Sequence, residues 1–312
     1  MPSQNRITKF LKPSEHFARS IHLERDFADT TALDQYVVTE KISKLFGQFA
    51  KAFGEGSTER AWRITGDYST GKSCFALALA RICNNRSIRV PKQLLPASKS
   101  LSNANALPVL VTGASEPISS AIIRALQLRL SECKSRKRPA TLRKANRILK
   151  ESDPAERDRY AIDLLKQTAE FVRETKQGSG VLLILDELGK SLEFATRNPD
   201  DQDITFLQLL AESASRSGNT PVVVLGILHQ GFSAYADRMD AMEQREWDKI
   251  GGRFAELAFD QPLEQLTSLV SNALGVKVDR LPGSIMKAAR ANMAKAIDLG
   301  WFGAVANPNP NE

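Results

Sequence analysis

Cysteine is scarce. The 312 residues hold only Cys74, Cys83 and Cys133, an odd set without metal-ligand spacing. That excludes a disulfide framework and a cysteine-built zinc site. Cys74 and Cys83 fall in or near one apolar stretch and read as packing residues. Long apolar runs are also missing: none approaches the roughly 20 residues of a membrane helix. The opening Met1-Pro2-Ser3-Gln4-Asn5-Arg6 lacks the apolar core of a signal peptide. These absences point to the cytoplasm and to no membrane partner. Acid is missing from one segment, residues 134–150, which carry Lys134, Arg136, Lys137, Arg138, Arg143, Lys144, Arg147 and Lys150. The segment contributes +8 to a net charge of +7, so the rest of the chain sums to −1. Such a patch either reads a nucleic-acid phosphate backbone or is a solvated insertion. It contains no aromatic residue, which argues against base stacking there.

What remains is ordinary for a globular protein: 42% hydrophobic and 25% charged residues. The length suits one large α/β domain, or a domain with a smaller partner.

Gly66-Asp67-Tyr68-Ser69-Thr70-Gly71-Lys72-Ser73 matches the phosphate-binding pattern G-x-x-x-x-G-K-[ST] at every specified position. Glycines at this spacing let backbone N–H groups wrap a phosphate without a side chain in the way. Lys72 is expected to meet the β- and γ-phosphates of ATP, and the Ser73 hydroxyl to ligate Mg²⁺. Ala61–Thr65 reads as a strand entering the loop, and Cys74–Ile82 as a buried helix leaving it with its positive end toward the phosphates. The loop, with Cys74 one residue beyond it, is the expected nucleotide contact. Val181-Leu182-Leu183-Ile184-Leu185-Asp186-Glu187 then supplies a doubly buried strand ending in acid. Asp186 is expected in the magnesium shell, and Glu187 as the base that polarises the attacking water.

The rest of the chain alternates strands and helices. Ser20–Glu24 suggests a short strand and Leu33–Phe53 a helix. A strand over Val109–Thr112, with Pro108 at its entry, precedes a helix over Ala114–Leu130. Asp153 and Pro154 suit the N-cap and first position of a helix running to about Thr175, with Glu156 completing a capping box. Lys72 and Asp186 lie 114 residues apart, more than one strand and helix need, so residues 132–175 are expected to be an insertion. Residues 204–214 suggest another helix, and Pro221–Leu228 a fourth buried strand followed by His229-Gln230. The pattern argues an α/β fold: a P-loop NTPase parallel sheet flanked by helices. The expected organisation is a lead-in over 1–60, an ATPase core over 61–260 and a partial helical lid over 261–312.

The order of loop, acidic strand and polar pair continues through Lys249-Ile250-Gly251-Gly252-Arg253-Phe254 and Phe259-Asp260-Gln261-Pro262-Leu263-Glu264-Gln265-Leu266. This resembles the AAA+ ATPase core, in its initiator and origin-recognition branch. The run from His229 through Tyr235 and Trp247 to Arg253 is also similar to the N-terminal ATPase region of large bacterial phage-defence ATPases. By this resemblance Arg253 is an arginine finger acting on a neighbouring subunit, which implies a homo-oligomer or larger assembly. The alternative is an Arg253 paired with a nearby acid such as Glu256. The resemblance puts His229 or Gln230 at the first sensor; a histidine satisfied at the sheet edge is the alternative. Arg290 falls where a second sensor would be sought, with no local motif around it. Leu263–Leu274 and Ser284–Leu299 are expected as the two helices of the partial lid. The implied activity is Mg²⁺-dependent ATP hydrolysis driving a switch or motor in a DNA-related or anti-phage defence assembly. Two rivals stand beside it: a nucleotide-gated scaffold with little hydrolysis, and a DNA-binding module using residues 134–150.

Overall fold

The computed structural model describes residues 10–13, 20–34, 36–67, 70–84, 92–101, 104–133, 138–201, 204–235, 241–259, 270, 273–276 and 281–300. They fall into two compact units, one of residues 21–260 and one joining residues 1–20 to residues 261–312.

The larger unit is built on a five-stranded sheet. Its strands are β2 (Ala61–Thr65), β3 (Ala106–Thr112), β4 (Gly180–Asp186), β5 (Val222–Ile227) and β6 (Ala255–Ala258). They lie in the order β3-β4-β5-β2-β6, every pair parallel. This is the α/β class expected from the sequence. Parallel strands need crossovers, and here helices run over both faces. Side chains alternate along each strand, so β4 sends Val181, Leu183 and Leu185 to one core and Leu182 and Ile184 to the other. Two cores on one sheet explain why β5 and the Val181–Leu185 run of β4 are apolar.

One core lies under α2 (Glu40–Ala52) and α3 (Lys72–Cys83). Phe46 of α2 meets Phe75 of α3 at 4.9 Å between ring centroids, and Phe75 meets Phe259 at 5.7 Å. Contacts of this kind contribute about 0.5–1.5 kcal/mol each beyond their burial. The other core lies under α5 (Ile118–Glu132), α7 (Pro154–Glu174), α8 (Leu188–Arg197), α9 (Thr205–Ser215) and α10 (Ala241–Gly251). Two shorter helices, α4 (Leu95–Ser100) and α6 (Ala145–Glu151), complete the layers.

Several expectations are corrected. Ser20–Glu24 is not a strand: Leu23–Asp26 forms the short helix α1. The buried Asp26 carboxylate accepts from the His22 N–H at 2.9 Å. The buried Arg81 guanidinium of α3 donates to the Asp26 carbonyl at 2.7 Å. A tertiary clamp therefore sets this segment's backbone over its local preference. The next helix starts at Glu40 rather than Leu33, because the Thr39 hydroxyl accepts from the Ile42 N–H and caps it there. Pro108 lies inside β3 and not at its entry, tolerated because β3 is an edge strand whose missing N–H can face away from its single neighbour. The helix expected from Ala114 begins at Ile118, after Pro117. The segment expected as an insertion is only partly one. Its long helix α7 buries Ala161, Leu164, Leu165, Ala169 and Val172 and is the main cover of this face of the sheet. The Asp153 carboxylate accepts from the Glu156 N–H at 2.8 Å, with Pro154 opening α7 as read from the sequence.

In the smaller unit β1 (Leu11–Pro13) pairs antiparallel with β7 (Leu274–Val276), Leu11 opposite Val276. The expected helix over Leu263–Leu274 falls mostly outside the described residues, and its last residue opens a strand. Helix α11 (Gly283–Asp298) covers the second expected lid helix and buries none of its residues. No helix among the described residues is long and apolar enough to cross a membrane.

Candidate functional site

Parallel strands all end on one edge of a sheet, and open α/β sheets gather ligands at that edge. Strand β2 ends at Thr65 and enters the loop. Its two motif glycines are required for different reasons. A Cβ on Gly66 would stand 2.8 Å from the Phe259 carbonyl oxygen, so the position needs space. Gly71 has open space but sits at φ 93°, the left-handed conformation that starts α3. The Thr70 hydroxyl donates to the Asp67 carbonyl at 2.9 Å and closes the described part of the loop. Tyr68 and Ser69 lie outside the described residues.

Lys72 opens α3 with 4% of its surface exposed. Its ammonium donates to the carbonyls of Gly66 at 2.5 Å and Asp67 at 2.6 Å. Burial pushes its pKa down, and the carboxylates of Asp186 and Asp67 push back. The cation is thus curled over its own loop, where an anion carrying several acceptor oxygens could draw it off. Cys74 is a protonated thiol, pushed up to about 11 by burial, with Asp186 and Asp26 adding to the rise. It packs beside the loop and supplies no reactive sulfur.

The acidic strand meets the loop directly. The Ser73 hydroxyl stands near enough to the Asp186 carboxylate to lower its pKa. Asp186 is buried, and burial raises its pKa against the lowering effects of Ser73, of the Glu187 N–H and of Lys72. Among the described residues no group of three or more His, Cys, Asp and Glu side chains could hold a metal ion. Mg²⁺ does not ask for one: it is commonly held by one or two carboxylates together with substrate phosphates. A hydroxyl near a desolvated carboxylate beside a phosphate loop fits that donor set, because an arriving cation relieves the cost of burying the charge.

The buried carboxylate makes stability depend on pH. A carboxyl whose pKa is raised on folding binds its proton more tightly in the folded state. The fold therefore gains stability as pH falls through that raised value, and bears the cost of the charge above it. Asp186→Asn is expected to melt higher than the parent at neutral pH without nucleotide. The gap should close as pH drops toward about 4, where the unfolded carboxylate also protonates. Thermal melts across pH test this, and a variant that melts lower at neutral pH contradicts it.

Glu187 follows in an unusual backbone state, φ 51° and ψ 35°, left-handed for a residue that is not glycine. Such strain persists only where the surroundings over-determine it. The surroundings here are tight on two sides. The Gly113 N–H donates to the Asp186 carbonyl at 2.7 Å, and a Cβ on Gly113 would lie 2.1 Å from the Glu187 carbonyl oxygen. Behind the turn, a Cβ on Gly189 would lie 2.4 Å from the Tyr235 hydroxyl. The Glu187 carboxylate is ion-paired with Lys190, one turn into α8.

Because β5 lies between β2 and β4, the residue that follows it emerges between the loop and the acidic turn. Leu228 is buried there, and His229 comes next. Its imidazole is half-buried and its pKa lowered, by burial first and then by Lys72 and Lys190, against the opposing pull of Glu187. Gln230, the other member of the pair, is exposed.

Arg253 is not brought to this edge. It precedes β6, whose Ala255 pairs with Trp62 near the start of β2. Four residue steps, Trp62 to Gly66, or roughly 13 Å, separate that level from the loop of the same chain. Its guanidinium is half-exposed and lies 3.6 Å from Glu212. The acid named for it from the sequence, Glu256, is taken instead by Arg63 at 2.6 Å.

No protein-family profile matches this chain, and no curated protein does. Among solved structures, the ORC2 protein of Aeropyrum pernix in its ADPNP–ADP complexes is similar over 93% of this chain and 69% of that one, at 13% identity and a TM-score of 0.44. A likeness that shallow carries no argument. The fold rests on the strand order and register described above, and the site on its own contacts.

Four residues of this edge escape sequence reading. Lys190 and Gly189 follow the acidic turn without a motif. Gly113 ends an apolar strand, as many loop glycines do. Thr112 pairs in register with Asp186, and its buried hydroxyl has no hydrogen-bond partner among the described residues. Gly113 and Thr112 owe their place to contacts with β4 and its end, and Gly189 to Tyr235, which no local pattern reports.

Proposed function

We propose that this chain is a cytoplasmic, Mg²⁺-dependent ATP hydrolase of AAA+ type, working as a switch or motor. The observation that carries the reading is the buried Lys72, which donates to the Gly66 and Asp67 carbonyls and acts electrostatically on the buried Asp186 carboxylate. It couples the end of the loop to the end of the acidic strand, which no spacing in the sequence requires. Lys72 and the loop amides would hold the phosphates, and Ser73 and Asp186 the metal. Mg²⁺ bound there would neutralise charge on the phosphate oxygens. Glu187 takes a proton from the attacking water and orients it. His229 adds a neutral hydrogen-bonding ring between the two. Arg253, remote from its own loop, acts on the neighbouring subunit, so activity needs an oligomer. The setting we propose is a DNA-related or anti-phage defence assembly, supported by the motif order from Gly66 to Leu266.

One observation favours a second reading. Glu187 is ion-paired with Lys190, which engages the base. A chain that keeps this pair with nucleotide bound is a nucleotide-gated scaffold with little turnover.

ATP turnover per subunit across a protein-concentration series, with Lys72→Ala as blank, separates the two. The hydrolase predicts turnover rising with concentration, and a loss of about 10³-fold or more in Arg253→Ala. Turnover near the blank at every concentration, with ATP bound, supports the scaffold.

A further inference from the structure

We infer that residues 138–150 form a docking ridge for the phosphate backbone of duplex DNA. The ridge is one continuous helical stretch, a 3₁₀ turn over Ala140–Lys144 running into α6. It is mounted rigidly. Ala145 and Ile148 are buried, and Leu142 and Leu149 pack partly against the same core. The Tyr160 hydroxyl donates to the Thr141 carbonyl at 2.6 Å, and the Thr141 hydroxyl to Gln167 at 2.7 Å, tying the ridge to α7. Gln127 donates to Asn146 at 2.9 Å, tying it to α5.

With the apolar side turned in, Arg143, Lys144, Arg147 and Lys150 all face solvent. No carboxylate among the described residues lies within ion-pairing distance of any of them. Glu132, the acid that precedes the basic run, is taken by Arg129. Arg147 stands one turn from Arg143, Lys144 and Lys150, so like charges repel at helical spacing. A ridge kept only for solubility would intersperse acids and relieve that repulsion. Concentrating eight cations in seventeen residues of a chain otherwise near neutral leaves a surface whose complement is a polyanion. The helical residues 140–150 span about 19 Å, the axial length that carries roughly eleven duplex charges. The absence of aromatic residues from the ridge favours a duplex backbone over stacked single-strand bases.

The test is binding of the full chain to a short fluorescent DNA duplex of random sequence, followed by anisotropy over a salt series. Four phosphate contacts predict an affinity loss of about 100-fold between 50 and 200 mM salt. Replacing Arg143, Lys144, Arg147 and Lys150 together by Gln should remove about 3.6 from the slope of log affinity against log salt and weaken low-salt binding at least about tenfold. Arg147→Gln alone, the gentler change, should remove about 0.9 from the slope. Melting curves of both variants should match the parent, since none of the four side chains is buried. The proposal is overturned by no duplex binding at low salt, or by an unchanged slope in the variants. It is equally overturned if the chain binds single-stranded DNA, or anionic phosphatidylserine vesicles, and not the duplex.

Discussion

Glu187→Gln should bind ATP as the parent does and turn it over at least about 100-fold more slowly, the lower end of what a positioned general base contributes. The amide keeps the size and the left-handed backbone of Glu187, so the turn survives. What is lost is the carboxylate of the acidic turn proposed to take the proton, since Asp186 is buried and accepts from the Glu187 N–H at 2.9 Å. Lys72→Ala should behave differently and lose binding itself, since it removes the one buried ammonium of the loop. Equilibrium binding measured beside single-turnover hydrolysis distinguishes the two. Equal turnover in Glu187→Gln and parent removes Glu187 from the mechanism. Retained binding in Lys72→Ala removes the loop from it.

Gly113→Ala should cost about 3 kcal/mol or more, the upper range for forcing volume into a packed site. The added Cβ meets the Glu187 carbonyl oxygen at 2.1 Å and its carbon at 2.8 Å, both backbone atoms. Neither side can step back. Strand β3 is in register with β4 along its whole length, ending with Thr112 opposite Asp186, and Gly113 is itself bonded to the Asp186 carbonyl. A fall of roughly 6–12 °C in melting temperature is expected for a unit of this size. Turnover should fall with it, because the clash pushes on the turn that aims Glu187. Gly218→Ala is the control: φ is 54° there but nothing lies within 4 Å, so only the left-handed backbone is penalised, by about 1–2 kcal/mol. Equal melting of Gly113→Ala and parent refutes the packing described around the acidic turn.

The chemistry of the site is written in two short stretches, and both were legible. A glycine-rich loop between an apolar strand and a helix has local causes: space at Gly66, backbone freedom at Gly71, and a helix start at Lys72. The strand ending at Asp186 is equally local, five apolar residues and then acid. The Asp153 cap is read the same way, because a cap is satisfied within three residues of itself. Where expectation failed, a distant group had decided. Ser20–Glu24 carries strand-like residues, yet Arg81, more than fifty positions away, holds the chain there in a helical turn. Pro108 marks an entry in isolation and is admitted inside β3 only because that strand has a single neighbour. Residues 154–174 look superfluous in a count of spacing and turn out to cover the sheet.

The sequence by itself marked the loop over 66–73 and the acidic strand as the candidate phosphate and metal site, and determined that the central strands would be buried on both faces. Those properties follow from side-chain chemistry and from periodicity, which act over a few residues. Only the tertiary structure decided that β5 separates the loop strand from the acidic strand and sets His229 between them. It alone pinched Glu187 between Gly113 and the Gly189–Tyr235 contact, and set Arg253 at the far end of the sheet from its own loop. Strand order and close backbone approach arise from packing among residues far apart in the chain, and no local pattern encodes them.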